Sequence, residues 1–533
     1  MLKWIAVSMM IPGLALAQQT EAQQTEAQQS ATQQTEAQQS AAQQSAAQQS
    51  AAQDAVTLKV LTFNIWYGGD QVSFAKVIEA IRLADADIVG LQEPDGKTLE
   101  IAAAAGYPYA DTRRHIISKY PLFDSALGVT TATEAPPYSI AGLDPDAVHA
   151  WVMVTPGRVV AVANTHLTSD PYGPELVRDG APLEEVLANE AEVRMPEAQA
   201  LVDGLGPVAA SGAPVILTGD FNSVSHLDWT EAAQAARPEM RYLVEWPVSK
   251  LIEAAGFADT YRVAHPDPVA DPGLTWTPGR PWPVVPEGET HDRIDFVFAA
   301  NARVIASEIL GEPGNPAVQL SVTPYPSDHR GVLSTIEVVP VAAPALITVE
   351  PRPVVLGDSY LIRAQVPGGN WTAVIVNAGA DWAEGGVTGI ADVPLVDRPT
   401  LRLSTIGMKT GEYDAVLIQN GAELARHRFS VIPADRRASV TLAAPVVPGG
   451  EIALGFAGAP GFKLDWIGVY RKGEVSAYNY LGFAYTGARH QGDMTFPAAE
   501  LYEELAPGDY ELRLMLDDHY QTMAVAPFTV AAP

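Results

Sequence analysis

The chain of 533 residues contains no cysteine. Disulfide staples, thiolate metal sites and cysteine nucleophiles are thereby excluded. A secreted protein without disulfides must instead bury sizeable apolar cores. Positive charge is also scarce. There are 33 Lys and Arg against 63 Asp and Glu, a formal net charge of −30. That balance argues against indiscriminate binding to DNA or anionic membranes and is compatible with divalent cations. Past the first residues, no apolar run is long enough to cross a bilayer. Hydrophobic content is an ordinary 47%, and the length predicts two to four domains.

What is present begins with a secretory pattern at residues 1–17. Lys3 precedes a mostly apolar stretch from Ile5 to Leu16, and Ala15-Leu16-Ala17 offers a small-x-small cleavage site. The expected location is therefore secreted or periplasmic. Residues 18–54 repeat a five-residue Gln-Gln-Thr-Glu-Ala or Gln-Gln-Ser-Ala-Ala unit. With almost no bulky apolar residues, the segment predicts a solvated tether.

From Val56 the texture is that of a folded domain, and the stretch Pro214–Asn222 organises it. Val215 to Leu217 has the length and type of a buried strand. Gly219 lets the chain turn. Asp220 and Asn222 follow at i and i+2, which in strand geometry point the same way. A carboxylate and an amide projecting from a strand end suit a metal-bound phosphate, one orienting a proton and the other donating to an oxyanion. Alone, Gly-Asp-x-Asn describes a polar turn equally well.

The other strand ends carry similar chemistry. Strands are predicted at Leu58–Trp66, Asp87–Glu93, His115–Pro121, Trp151–Val154, Val159–His166 and Arg293–Phe298. A helix is predicted from Phe74 to Leu83 by its apolar spacing. Alternating strands and helices imply mixed sheets layered with helices. Glu190 and Arg194, at i and i+4, predict a structural ion pair lining the cleft. His149, His226, His265, His291, His427, His490 and His519 match no motif and are assigned to surface or loops.

After Pro340 the helix patterns stop. Gly357, Trp371, Tyr413 and Phe429 recur as Gly450, Trp466, Tyr510 and Phe528. Two β-sandwich modules in tandem, 345–433 and 437–533, follow from that repeat. Each Trp–Tyr pair is expected in a core, and the modules offer a surface for cell-surface contact.

Taken in order, the strand-end motifs are Thr62-Phe63-Asn64, Leu91-Gln92-Glu93, Asn164-Thr165-His166, Gly219-Asp220-Phe221-Asn222, Arg293-Ile294-Asp295-Phe296-Val297 and Ser327-Asp328-His329. Together they closely resemble the endonuclease/exonuclease/phosphatase superfamily, the deoxyribonuclease I-like fold, over residues 55–340. Six motifs in the right order are far more specific than any one. The resemblance implies an α+β fold: a four-layered α/β/β/α sandwich, here followed by the two all-β modules. It also implies hydrolysis of a phosphate ester without a covalent intermediate. Asn64, Glu93 and Asp328 would lie at a magnesium ion, with Mn²⁺ or Ca²⁺ as alternatives. His166 would donate to a phosphate oxygen, Asp220 would orient or deprotonate the attacking water, and Asn222 would steady the phosphate. Asp295 would pair with His329, and either Asp220 or His329 would be the base.

One position departs from the pattern. The DNA-repair branch has an acidic residue two places after the first asparagine, whereas this chain has Trp66. The runs Leu167–Pro174 and Gly273–Trp276 are more similar to secreted bacterial phosphohydrolases. Tyr172 and Arg178 are the expected substrate contacts, with Trp276 assigned to loop packing.

The leading reading is a secreted, metal-dependent phosphodiesterase acting on a small-molecule or lipid phosphate ester. No Lys/Arg cluster falls near a motif, Arg113, Arg114 and Arg293 being closest, so polymeric DNA is disfavoured. The alternatives are a phosphomonoesterase, an extracellular nuclease or sphingomyelinase, and a surface-binding protein with a vestigial catalytic fold.

Overall fold

The computed structural model describes residues 54–124, 148–280, 283–284 and 290–351, and most of 353–531. Within that last range 367–370, 385–392, 395–399, 436, 463, 488, 497–500 and 518–519 are not described. The signal-like segment, nearly all of the tether and His519 lie outside the described residues. Val56–Pro533 forms one compact unit. Among the described residues, no helix is long and apolar enough to cross a membrane.

Two mixed sheets form the heart of the first part. The strands of the first are β1 (Val56–Asn64), β2 (Ile88–Gln92), β3 (Tyr109–Asp111), β4 (Ile116–Ser118), β11 (Ala302–Gly311), β12 (Leu320–Ser321) and β13 (Gly331–Val338). Those of the second are β5 (Leu122–Asp124), β6 (Ala150–Thr155), β7 (Arg158–His166), β8 (Val215–Asp220), β9 (Ala258–Asp259), β10 (Asp295–Ala300) and β14 (Val341–Ala342). The first sheet runs β12-β11-β13-β1-β2-β4-β3. The second runs β5-β6-β7-β8-β10-β9, with β14 on β7.

Because side chains alternate across a strand, each sheet buries two apolar faces. Leu58, Val60 and Ile88 of the first sheet meet Val160, Ile216 and Val297 of the second. The outer face of the first sheet packs on the helices Phe74–Ala84 and Thr98–Ala105, through Val77, Ile81 and Ile101. The outer face of the second packs on Met195–Ala210 and Pro247–Ala254, through Leu201, Leu205 and Ile252. This is the four-layered α/β/β/α sandwich that the sequence predicted.

Beneath the strand ends, a buried polar layer joins the two sheets. Gln92 Nε2 donates to Thr62 Oγ1 at 3.1 Å and to Asn164 Oδ1 at 2.7 Å. Thr218 Oγ1 donates to the same Asn164 oxygen at 2.9 Å. The sheets approach closely here because Gly90 has no side chain. A Cβ on Gly90 would lie 2.0 Å from Thr218 Oγ1.

The C-terminal part is two β-sandwiches. The first pairs a three-stranded sheet (Leu346–Glu350, Ser359–Gln365, Thr400–Ser404) with a five-stranded one. The second pairs three strands with four. Their cores centre on Trp371 with Tyr413 and on Ile467 with Tyr510. In each module the repeated tyrosine donates back to the backbone four residues upstream: Tyr413 to Lys409 O and Tyr510 to Ala506 O, both at 2.9 Å. The repeat read from sequence thus has a physical basis. Trp466 differs from its counterpart. It lies on the other face, among Tyr480, Phe483 and Tyr520.

Candidate functional site

The site lies where β1, β2, β7, β8, β10 and the turn before β13 end together. Asp220 closes β8 and is buried. Its Oδ2 accepts from Asn64 Nδ2 at 3.0 Å, and it lies 3.5 Å from His166 Nε2 and 3.6 Å from His329 Nδ1. Three groups from three other strand ends therefore meet one carboxylate oxygen.

His329 Nδ1 is also 3.0 Å from Asp295 Oδ2, which begins β10. Burial opposes charge on the ring, but Asp295 and Asp220 outweigh it and hold its pKa well above the ordinary value. Burial pushes the Asp295 carboxyl up, and His329 opposes that shift.

The surrounding turns fix this geometry. Ser327 Oγ donates to Asn64 O at 2.6 Å and accepts from His329 N at 3.0 Å, so the β13 turn is clipped to the end of β1. Thr275 Oγ1 accepts from Ile294 N and Asp295 N at 3.0 and 3.1 Å and pins the start of β10. Ser327 stands in one of the six motifs and Thr275 in the run Gly273–Trp276, but neither is given a role from sequence, since a Ser or Thr carries no local signal of such a clip.

Glu93 follows β2 with φ +54°, a strained conformation for a residue with a side chain. Its Oε1 accepts from Asn64 Nδ2 at 3.1 Å and its Oε2 from Tyr67 N at 2.9 Å. Both donors are neutral, so its charge is left without a cationic partner among these bonds. Asp328 Oδ1 is buried with no hydrogen-bond partner. Burial, with the charge of Glu93 adding, pushes Asp328 up to about 6 against the opposing His329. An unpartnered buried oxygen beside a second carboxylate fits a hard divalent cation. Asp220, Asp295 and His329 also bring ligand atoms within 4.8 Å of one another. There, however, His329 already neutralises the carboxylates, and a cation would have to displace its proton. Glu93 and Asp328 are the better fit.

Several expectations need correction. Asn64 is placed as a bridge: its amide nitrogen spans Glu93 and Asp220, while its oxygen accepts from Trp66 N at 3.0 Å. Asn222 does not project beside Asp220. The strand ends at Asp220 and Asn222 adopts φ +45°. Its Nδ2 donates to Leu167 O at 2.8 Å, and its N–H supports Asp220 Oδ1 at 3.0 Å.

Tyr172 is buried rather than open to substrate. Its hydroxyl donates to Asp292 Oδ2 at 3.1 Å and its ring packs edge-on to Trp276. Arg178 is tied to Glu175 and Asp179 on its own helix, Gly173–Asp179. Glu190 and Arg194 pair at 2.7 Å as predicted, but both are fully buried and so do not line an open cleft. His149, His427 and His490 are buried rather than superficial.

The sequence reading also missed Arg280. It is exposed, its guanidinium stacks 4.2 Å over the Trp66 ring, and its charge lowers the pKa of Asp328.

A family model described as Endonuclease/Exonuclease/phosphatase family matches residues 61–329. The chain belongs to this family. An uncharacterized protein of Caenorhabditis elegans is 29% identical over 295 residues, which cover 52% of this chain and 90% of that relative. Among solved structures, an endonuclease/exonuclease/phosphatase family protein from Bacteroides thetaiotaomicron is 17% identical with a TM-score of 0.30, covering 53% of this chain and 96% of that one. A 3′-5′ exonuclease from Neisseria meningitidis is 18% identical with a TM-score of 0.31, covering 52% of this chain and 98% of that one. The endonuclease/exonuclease/phosphatase chain described here thus carries the hydrolase fold of its family, with both sandwiches beyond the matched residues.

Proposed function

We propose that the protein is an exported phosphodiesterase that hydrolyses a small or lipid-linked phosphate ester by direct attack of water. The observation that carries this reading is the convergence of Asn64, His166 and His329 on Asp220 at the end of β8. Glu93 and Asp328 would hold a divalent cation, magnesium by preference, with Mn²⁺ or Ca²⁺ as alternatives. When bound, such an ion neutralises charge on the phosphoryl oxygens and stabilises the leaving oxygen.

The remaining work falls to the chain itself. Asp295 and Asp220 hold the His329 pKa well above its ordinary value, which favours His329 as a donor toward the phosphate rather than as the base. Asp220 then orients and deprotonates the water. The new P–O bond forms as the bond to the leaving oxygen breaks. His166, less buried than its neighbours, donates to a nonbridging oxygen. Asp295, 3.0 Å from His329 Nδ1, orients the ring and stabilises its charge. Arg280 offers an exposed cation beside Trp66, suited to one phosphate group. Export is supported by the pattern of residues 1–17.

The test is a panel of bis(p-nitrophenyl) phosphate, p-nitrophenyl phosphate, sphingomyelin and duplex DNA with Mg²⁺, Mn²⁺ or Ca²⁺, each with and without EDTA. The expected result is chelator-sensitive hydrolysis that is fastest on the diester. Glu93→Gln and Asp220→Asn should each lower kcat by about 10²–10³ with folding retained, because preorganised charge dominates such catalysis. Activity indifferent to EDTA, or a faster monoester, overturns the reading.

A further inference from the structure

We propose that Asp517 of the second sandwich is a positioning residue for Glu93, so that the catalytic cleft is completed by the C-terminal module. The inference rests on the role given to Glu93 above. Glu93 lies in the loop between β2 and the helix Thr98–Ala105. Glu93, Asp95 and Gly96 of this loop all take left-handed backbone, at φ +54°, +49° and +78°. Such a run persists only where its surroundings over-determine it.

Part of that determination is local. Gly68 N donates to Glu93 O at 2.8 Å, and Lys97 Nζ to Gly68 O at 3.1 Å. The rest comes from a residue 421 positions away. Gly96 N donates to Asp517 Oδ2 at 2.7 Å, a charge-assisted bond of the stronger kind. Asp517 Oδ1 lies 3.1 Å from His115 Nε2. His115 in turn shares a 2.8 Å bond with Thr98 Oγ1, and its carbonyl accepts from Leu91 N at 2.9 Å. One buried carboxylate thereby touches the loop just after Glu93 and, through His115, the strand just before it.

Asp517 is itself held firmly. Its N–H donates to Asp465 Oδ1 at 3.0 Å, and Asp465 Oδ2 accepts from Gly461 N and Phe462 N at 2.8 and 3.0 Å. The Phe462 ring stacks on His115 with centroids 6.3 Å apart. Leu516 packs under Gly96, where a Cβ would come within 3.1 Å of its Cδ2. Among the described residues of its own module, the Asp517 side chain accepts one long bond, from Leu464 N at 3.4 Å. Its shorter bond is to Gly96 of the catalytic part, and the 3.1 Å approach to His115 Nε2 is a charge contact rather than a hydrogen bond.

The experiment uses the full chain and two readouts besides turnover: Mn²⁺ affinity by calorimetry, and amide exchange of residues 92–100 by mass spectrometry. Asp517→Ala should lower kcat on a small diester and weaken Mn²⁺ binding by about 10-fold each, the size expected when an outer partner of a metal ligand is lost. It should also speed exchange in 92–100. Asp517→Asn keeps an oxygen acceptor for Gly96 N and should restore most of all three. Leu516→Ala should shift them in the same direction by less, and keeps the test available if Asp517→Ala does not fold. Wild-type metal affinity and unchanged exchange in Asp517→Ala, or losses that Asp517→Asn leaves unrescued, overturn the proposal. A wild-type protein that neither binds Mn²⁺ nor hydrolyses any ester overturns the hydrolase reading instead, while the exchange data still decide whether Asp517 holds the loop.

Discussion

His329 is a buried imidazole between two carboxylates, Asp295 at 3.0 Å and Asp220 at 3.6 Å. A neutral ring there would leave two buried charges facing each other, which is why the charged form wins despite burial. Removing the ring and removing Asp295 therefore damage the same unit. The double change Asp295→Asn with His329→Ala should cost kcat/KM little more than His329→Ala alone, since members of one relay are non-additive. Losses that multiply would show that the two residues act separately. The six strand-end motifs were legible because each is a short local run with its polar residue at a strand end. Asn222, Tyr172 and Arg280 were misread or missed for the opposite reason. Left-handed backbone at Asn222 itself, two residues past β8, redirects its side chain. Tyr172 meets a partner 120 positions away at Asp292. Arg280 gains its place only when a distant loop folds over Trp66.

At the scale of elements, apolar runs located the strands well. The predicted helix at Phe74–Leu83 is one residue longer, Phe74–Ala84, ending at Asp85 in left-handed backbone. Burial of polar residues along those elements was not legible, because it depends on what the next layer supplies. His149, just ahead of β6, shows the consequence. Its ring packs edge-on to Trp151 at 4.8 Å. Burial, with Arg114 beside it, lowers its pKa from 6.5 to about 3. The folded ring stays neutral while the unfolded chain takes a proton near 6.5. Between those limits the unfolded state binds more protons, so stability falls as pH falls, by at most about 1.4 kcal/mol per pH unit. This contribution is fully present above pH 6.5 and is lost on the way down to about 3. His149→Gln cannot titrate, so the drop in Tm from pH 7.5 to 5.0 should be smaller than in the wild type. An equal drop in both proteins would show that His149 is not the group responsible.

At the scale of the whole molecule, the tandem repeat was visible because Tyr413 and Tyr510 make the same backbone bond in both modules. The docking of the second module was not visible, because Gly96 and Asp517 carry no mark of each other. Charge tells a similar story. The net −30 was plain, but the fate of the few cations was not. Arg114 is buried against Asp111 and Asp124, Arg293 against Asp228 and Asp259, and Arg330 against Glu312. These guanidiniums hold the scaffold together and are not available to a polyanion. A protein gripping duplex DNA neutralises several phosphates, and its affinity then falls steeply with salt. On the proposed function, Arg280, exposed beside Trp66, would meet one phosphate group rather than a backbone of many. kcat/KM on a small phosphodiester should therefore exceed that on duplex DNA at both low and high salt, and should change little between them. Arg280→Ala should raise KM for the small ester several-fold while leaving kcat nearly intact, as for a contact made equally in ground and transition states. Efficient DNA cleavage that collapses as salt rises would overturn the small-ester assignment, and the substrate would pass to nucleic acid.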